Sequence, residues 1–162
     1  MRAYVGVGSN LGDRWAHLAL AARELRACPG VTFLRGSRVH DAAPMGPSQP
    51  RYLNAVVELE TTLEPEALLE RLLAVEQAAF RERGLRWGAR TLDLDLLLCD
   101  DLVVRSPTLT VPHPGLISRR WVLAPLAELC PDRLVPGTGC TVAELLKAVP
   151  AYDMKPVGLY PG

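Results

Sequence analysis

No stretch of this chain is apolar for anything near the roughly 18 residues that a membrane-spanning helix requires. Met1-Arg2-Ala3-Tyr4 runs directly into a strand pattern without a secretory apolar region. A membrane anchor and an export signal are therefore not expected, and a cytoplasmic setting is. An excess of either charge is also missing: 18 basic residues balance 18 acidic ones, which argues against a whole-molecule binder of polyanions and leaves room only for a local basic funnel. Cys28, Cys99, Cys130 and Cys140 form no C-x-x-C pair. Neither a zinc knuckle nor a disulfide framework is indicated, and buried free thiols are expected. Lysine occurs only at 147 and 155, and asparagine only at 10 and 54. Without repeats, low-complexity tracts or a linker, residues 1–162 are expected to form a single domain with a Pro/Gly-rich tail over 150–162.

What is present is concentrated in Arg86-Trp87-Gly88-Ala89-Arg90-Thr91-Leu92-Asp93-Leu94-Asp95-Leu96-Leu97-Leu98. In an extended strand alternate side chains share a face, which puts Asp93 and Asp95 together and Leu92, Leu94 and Leu96 on the other side. Two like charges on a strand in an apolar context require compensation. Divalent cations supply it most economically, and Arg90 stands near enough to hold an anion beside them. Carboxylates and arginine around hard cations are the apparatus of phosphoryl-group chemistry. The competing reading is an exposed edge strand with both aspartates solvated.

The rest of the chain supplies a frame. Ala3 to Val7 reads as a strand, Asp13 caps a helix over about 14–27, and Pro29-Gly30 ends it. Within that helix Trp15, Leu18, Leu20, Ala22 and Leu25 recur at roughly helical spacing. A second strand covers 31–40, a Pro/Gly/Ala-rich loop 41–51, and a third strand 52–62 with Leu53, Ala55, Val57 and Leu59 on one face. Pro65 opens a helix to about Arg81, with Leu68, Leu69, Leu72, Val75 and Ala79 inward. After the Asp93/Asp95 strand come a hairpin about Asp100-Asp101, a break at 111–115, a helix over about 118–129 and a short helix over 142–148. The order β-α-β-β-α-β predicts an α+β, ferredoxin-like core: an antiparallel sheet with helices on one face, plus a C-terminal hairpin and helices.

Several blocks together resemble one family, the 6-hydroxymethyl-7,8-dihydropterin pyrophosphokinases of folate biosynthesis. They are Tyr4-Val5-Gly6-Val7-Gly8-Ser9-Asn10-Leu11-Gly12, Pro44-Met45-Gly46-Pro47 with Tyr52-Leu53-Asn54-Ala55, Arg86 through Leu98, and Val111-Pro112-His113-Pro114 leading to Arg119-x-Trp121-Val122-Leu123-x-Pro125-Leu126. The resemblance spans about residues 4–130. It implies transfer of pyrophosphate from ATP to the pterin hydroxymethyl group, with release of AMP and with two Mg²⁺ ions on Asp93 and Asp95.

The resemblance also implies roles for individual residues. Arg81 and Arg90 join Asp93 and Asp95 as catalytic groups, guanidinium forks being matched to phosphate oxygens. Glu76, Arg83, Trp87, Leu96, Thr110, His113 and Arg119 fall on the ATP side, with Trp87 in a lid flanked by Gly84 and Gly88. On the pterin side, Tyr52 and Trp121 would stack on the ring and Asn54 would pair with its lactam and amine edge. Ala42, Ala43 and Met45 would supply backbone hydrogen bonds and an apolar wall. No nucleic acid or membrane partner is implied, and the chain is expected to be a monomer or a weak homodimer.

Some positions depart from the family pattern. Ala42 and Ala43 stand where many relatives have Thr-Pro, Phe80 where glycine is common, and Pro114 where certain relatives carry an aromatic. Rival readings are a ferredoxin-like nucleotide- or RNA-binding regulatory module, which would show exposed aromatics on two central strands, and a metal-dependent nuclease, which would want further carboxylates. The turn Gly8-Ser9-Asn10-Leu11-Gly12 lacks the Lys-Ser/Thr of a phosphate loop and reads as structural.

Overall fold

The computed structural model describes residues 1–46, 49–83 and 92–162, with only the backbone of 81–83. Its strands are β1 (Arg2–Ser9), β2 (Val31–Gly36), β3 (Val39–Ala42), β4 (Tyr52–Thr61), β5 (Asp93–Cys99), β6 (Val104–Arg105), β7 (Thr110–Val111), β8 (Leu134–Val135), β9 (Cys140–Thr141) and β10 (Met154–Gly158). The helices are α1 (Arg14–Ala27), α2 (Pro65–Arg83), α3 (Arg120–Leu129) and α4 (Val142–Ala148), with a 3₁₀ turn at Leu116–Ser118. The main sheet runs β10-β3-β4-β1-β5, β2 also pairs with β4, and every pairing is antiparallel. This is the split βαβ arrangement expected of the α+β core, extended by one edge strand.

Local chemistry explains the element boundaries. The Asp13 side chain accepts from Ala16 N at 3.1 Å, satisfying one of the orphan donors at the start of α1. Thr141 and Glu144 form a reciprocal capping box at the start of α4. Leu68, Leu72, Val75 and Ala79 of α2 are buried against Leu18, Leu25, Leu53, Leu59, Leu94 and Leu96. The β4 alternation puts Leu53, Ala55, Val57 and Leu59 into this same core.

Five details differ from the sequence-based expectations. The second strand is broken at Ser37, whose backbone N–H donates to Val56 O and whose hydroxyl accepts from Val56 N, so two short strands share β4. The chain turns at Asp100 (φ 47°), a left-handed conformation that a short polar side chain tolerates. However, β6 then pairs with β7 and not with β5. Helix α3 starts at Arg120, because Ser118 belongs to the 3₁₀ turn. Trp15 is 37% exposed and packs beside Gly158, while His17 takes the buried position on α1. Of the four thiols, Cys99 and Cys130 are buried but Cys28 and Cys140 are half-exposed.

The largest difference concerns the second face of the sheet. The expected tail holds a strand, β10, which pairs with β3. Helices α3 and α4 close part of that second face, burying Leu97, Leu98, Val56, Tyr4, Leu123 and Leu126 in a separate core. A bulge opposite Tyr4 and Val5 breaks the alternation of β5, which sends Leu97 and Leu98 together into this second core. Among the described residues no helix is long and apolar enough to cross a membrane.

Candidate active site

Three adjacent strands build the floor of a cleft at the uncovered end of the second face. Gly8 of β1 stands between Asn54 on β4 and Asp93 on β5, and Gly6 stands between Val56 and Asp95. Side chains of directly opposed residues lie close together in antiparallel pairs. Glycine in the middle strand therefore leaves a trough bordered by an amide on one side and carboxylates on the other. A Cβ at Gly8 would lie 3.1 Å from Asn54 Oδ1 and 3.6 Å from the Tyr52 ring. Gly8, expected to be structural only, thus floors the cleft; glycine at alternate positions of β1, Gly6 and Gly8, is the sequence signal of such a close approach.

The resulting cleft has a volume of about 240 Å³. Tyr52, Asn54, Asp93, Asp95, Arg119 and Trp121 line it, together with Ala43, Met45 and Gln49 from the loop before β4. Trp121 lies in the first turn of α3, the helix that roofs the closed part of this face. Ala42, by contrast, is fully buried in the sheet between Tyr52 and Met154. Ala43 uses both backbone groups within the protein: its N–H donates to Asp153 O at 2.9 Å and its carbonyl accepts from Tyr152 Oη at 2.6 Å. The loop thus presents a side-chain wall, and the backbone of Ala43 is already engaged.

A second cleft, of about 310 Å³, opens on the other side of Asp95. Leu94, Asp95, Leu96, Thr108, Thr110, His113 and Pro114 line it. Leu96 keeps its side chain in the main core, so it contributes an apolar edge. The imidazole of His113 is oriented by Gly115, whose N–H donates to Nδ1 at 3.0 Å, which places the ring proton on Nε2. Nε2 lies 3.8 Å from Asp95 Oδ1. Gly115 has a further role, since a Cβ there would come within 2.6 Å of Arg119 Cζ. The absence of a side chain lets the Arg119 guanidinium pack over this turn, at the rim of the first cleft.

Glu76 on α2 accepts the backbone N–H of Leu94 at 2.7 Å. It therefore anchors the start of the strand that carries both aspartates. Arg81 and Arg83 fall in the last turn of α2, whereas Trp87 and Arg90 lie outside the described residues. Tyr152, Gln49 and Gly115 are not anticipated from sequence: long-range packing brings Tyr152 to Ala43 and Trp121, whereas Gln49 and Gly115 act beside residues that are themselves expected at the site.

The donor set has a clear chemical character. Asp93 and Asp95 share a face and are half-exposed, and no group of three or more His, Cys, Asp or Glu side chains gathers among the described residues. Two carboxylates with space beside them suit Mg²⁺, which keeps waters and takes substrate phosphates as ligands instead of demanding an all-protein cage. The arrangement does not suit a structural zinc site, and the Cys99 thiol, pushed up to about 12 by burial, is no nucleophile. Nor does the face present an RNA platform: Tyr4 on the central strand is buried under α3 and α4.

Comparison with known proteins agrees with this geometry. A family model described as 7,8-dihydro-6-hydroxymethylpterin-pyrophosphokinase (HPPK) matches residues 4–131. The chain is 41% identical over 155 residues to the 2-amino-4-hydroxy-6-hydroxymethyldihydropteridine pyrophosphokinase of Synechocystis sp., covering 96% of this chain and 80% of that protein. It is also 41% identical over 150 residues to the Pseudomonas aeruginosa protein of the same name, covering 92% of each. Among solved structures, Plasmodium falciparum HPPK-DHPS with SDX-DHP superposes with a TM-score of 0.73 over 90% of this chain at 12% identity, a likeness of fold alone. This chain spans 45% of that longer one.

Proposed function

The chain belongs to the 7,8-dihydro-6-hydroxymethylpterin-pyrophosphokinase family, and from that premise we infer that it transfers pyrophosphate from ATP to 6-hydroxymethyl-7,8-dihydropterin in folate biosynthesis. The hydroxymethyl oxygen attacks the β-phosphorus in line, the bond from that phosphorus to the α,β-bridging oxygen breaks, and AMP leaves. The hydroxyl proton is released, and the product is the pterin diphosphate.

The observation that carries this reading is the position of Asp95 in the wall common to both clefts. One cleft offers a flat, partly apolar slot with Tyr52, Trp121 and Asn54, suited to a bicyclic heteroaromatic with a lactam edge. The other offers the Thr110 and His113 edge for a phosphate chain. An acceptor hydroxyl and a donor phosphorus brought in from opposite sides meet at the carboxylates. Asp93 and Asp95 would hold the magnesium ions, which when bound neutralise triphosphate oxygens and increase the acidity of the attacking hydroxyl.

The protein's own contribution is chiefly positioning and charge placement. Glu76 holds the strand start through Leu94 N, which keeps both aspartates in register. Gly115 presents the Nε2–H of His113 toward the second cleft, where it can donate to a phosphate oxygen. Arg119 adds a permanent cation at the rim. Arg81 and Arg83, at the end of α2, and Arg90 and Trp87 in the following segment complete the nucleotide side in this reading. The same reading takes the chain as a single domain acting in the cytoplasm as a monomer or a weak homodimer.

The decisive assay incubates the protein with 6-hydroxymethyl-7,8-dihydropterin, ATP and MgCl₂ and resolves the nucleotides chromatographically. AMP should form in equal amount with pterin diphosphate, and chelation by EDTA should stop the reaction. Formation of ADP in place of AMP would overturn the proposal.

A further inference from the structure

The segment after α4 re-enters the molecule beside the first cleft. Tyr152 places its ring 4.6 Å from that of Trp121, centroid to centroid, with the planes inclined at 40°. Its hydroxyl donates to the Ala43 carbonyl at 2.6 Å, and the next residue, Asp153, accepts from Ala43 N–H through its own carbonyl at 2.9 Å. The Asp153 carboxylate receives Arg51 Nη1 at 2.9 Å and Nη2 at 3.2 Å. Arg51 also grips Asp41 of β3, and its neighbour Tyr52 begins β4. Two consecutive residues from the chain end thus hold two separate walls of the cleft.

Trp121 has particular need of such a hold. It is the second residue of α3, and a helical side chain leans over the turn that precedes it, which here is the separate 3₁₀ turn Leu116–Ser118 and not a turn of α3. Its ring plane is therefore set by tertiary neighbours, among them the ring of Tyr152. Tyr152 is not among the described residues lining the cleft, so it acts through Trp121 and Ala43. Burial, reinforced by the neighbouring Asp153 charge, raises the Tyr152 hydroxyl above its ordinary value, so it remains a donor throughout the physiological range.

We propose that Tyr152 is a positioning residue for the acceptor substrate: by fixing the Trp121 plane and the Ala43 wall, it sets how tightly a flat bicyclic heteroaromatic is held. This rests on the assignment of the first cleft to the pterin. Among the described residues these contacts do not involve the lining of the second cleft, so the effect is expected to fall on one substrate.

The test compares wild type, Tyr152→Ala and Tyr152→Phe for the KM of each substrate, kcat and thermal midpoint. Loss of an aromatic pair should raise the pterin KM of Tyr152→Ala about tenfold, with the ATP KM and kcat within about twofold. Tyr152→Phe keeps the ring and loses one hydrogen bond, so most of the affinity should return, leaving a rise of about twofold. Should the alanine variant not fold, Tyr152→Leu retains apolar bulk without a ring plane and should show the same selective rise. A lowered thermal midpoint with an unchanged pterin KM would reduce Tyr152 to a structural role and overturn the proposal, as would equal rises in both KM values. Wild-type protein that turns over no pterin would instead overturn the cleft assignment, a separately recognisable failure.

Discussion

On β5 the side chains of Leu94 and Leu96 enter the core beneath α1 and α2, while Asp93 and Asp95, each one residue away, border an open cleft. On β4 the pattern repeats, with Leu53 and Ala55 inward and Tyr52 and Asn54 in the cleft. The two faces of one sheet thus divide stability from chemistry. The face under α1 and α2 is apolar through its middle, with the buried polar residues Ser9 and Thr61 only toward its ends. The other is sealed by α3 and α4 at one end and left open at the end where β1 contributes glycine. Because the period of a strand is two, the site can change without rebuilding the main core.

The largest expected effect tests that division directly. Asp95→Ala should lower kcat by roughly three orders of magnitude and leave the thermal midpoint nearly unchanged, since the carboxylate is 39% exposed. Retention of AMP formation in a quenched assay would remove Asp95 from the chemistry. Leu72→Ala makes the reciprocal test. Its side chain is fully buried, so chemical denaturation should show a loss of about 2–5 kcal/mol, while kcat measured well below the thermal midpoint stays at the wild-type value.

Smaller effects sharpen the boundary within the second face. Gly8→Ala puts a methyl 3.1 Å from Asn54 Oδ1, and displacement of the amide should raise the pterin KM about tenfold with the ATP KM unchanged. Equal rises in both KM values would show that the trough serves both clefts. At the sealed end, Glu58 is 3% exposed and accepts from Arg2, Arg35 and Tyr4. Burial alone would push its carboxyl up, but the hydrogen bonds from Arg35, Arg2 and Tyr4 outweigh it, and the net shift is downward from 4.5. A carboxylate lowered on folding stabilises the native state above its unfolded value, and that contribution is lost as pH falls through the folded one. Arg2 and Arg35 are 39% and 54% exposed, so water screens much of the effect. Glu58→Gln should therefore lower the thermal midpoint by only about 2–4 °C at pH 7, and scanning calorimetry should find that difference shrinking below pH 4.5.

Legibility from sequence followed the range of the interactions. Helix α1 begins after Asp13 because that side chain satisfies a local donor, and α4 begins at a capping box four residues long. The pairing of Asp93 with Asp95 on one face, and of Leu94 with Leu96 on the other, needs only strand geometry. By contrast, the Leu97 bulge depends on how β5 registers against β1. Gly6 and Gly8 acquire meaning only when β4 and β5 flank them. The residues after 150 look like a loose tail because Pro and Gly punctuate them, yet Met154–Gly158 finds an unpaired strand edge at β3.

Taken alone, the sequence determined the alternation of strands and helices in the core, the inward face of β4, and the presence of two carboxylates side by side with arginines upstream. Periodicity, capping and turn chemistry are properties of neighbouring residues, and they survive without knowledge of the rest of the chain. Tertiary structure decided that Asp95 would stand between two clefts, that glycines would floor one of them, and that Tyr152 would brace Trp121 from 31 positions away. Those outcomes depend on sheet register and on closing long loops, whose energies belong to the folded whole and to no local segment.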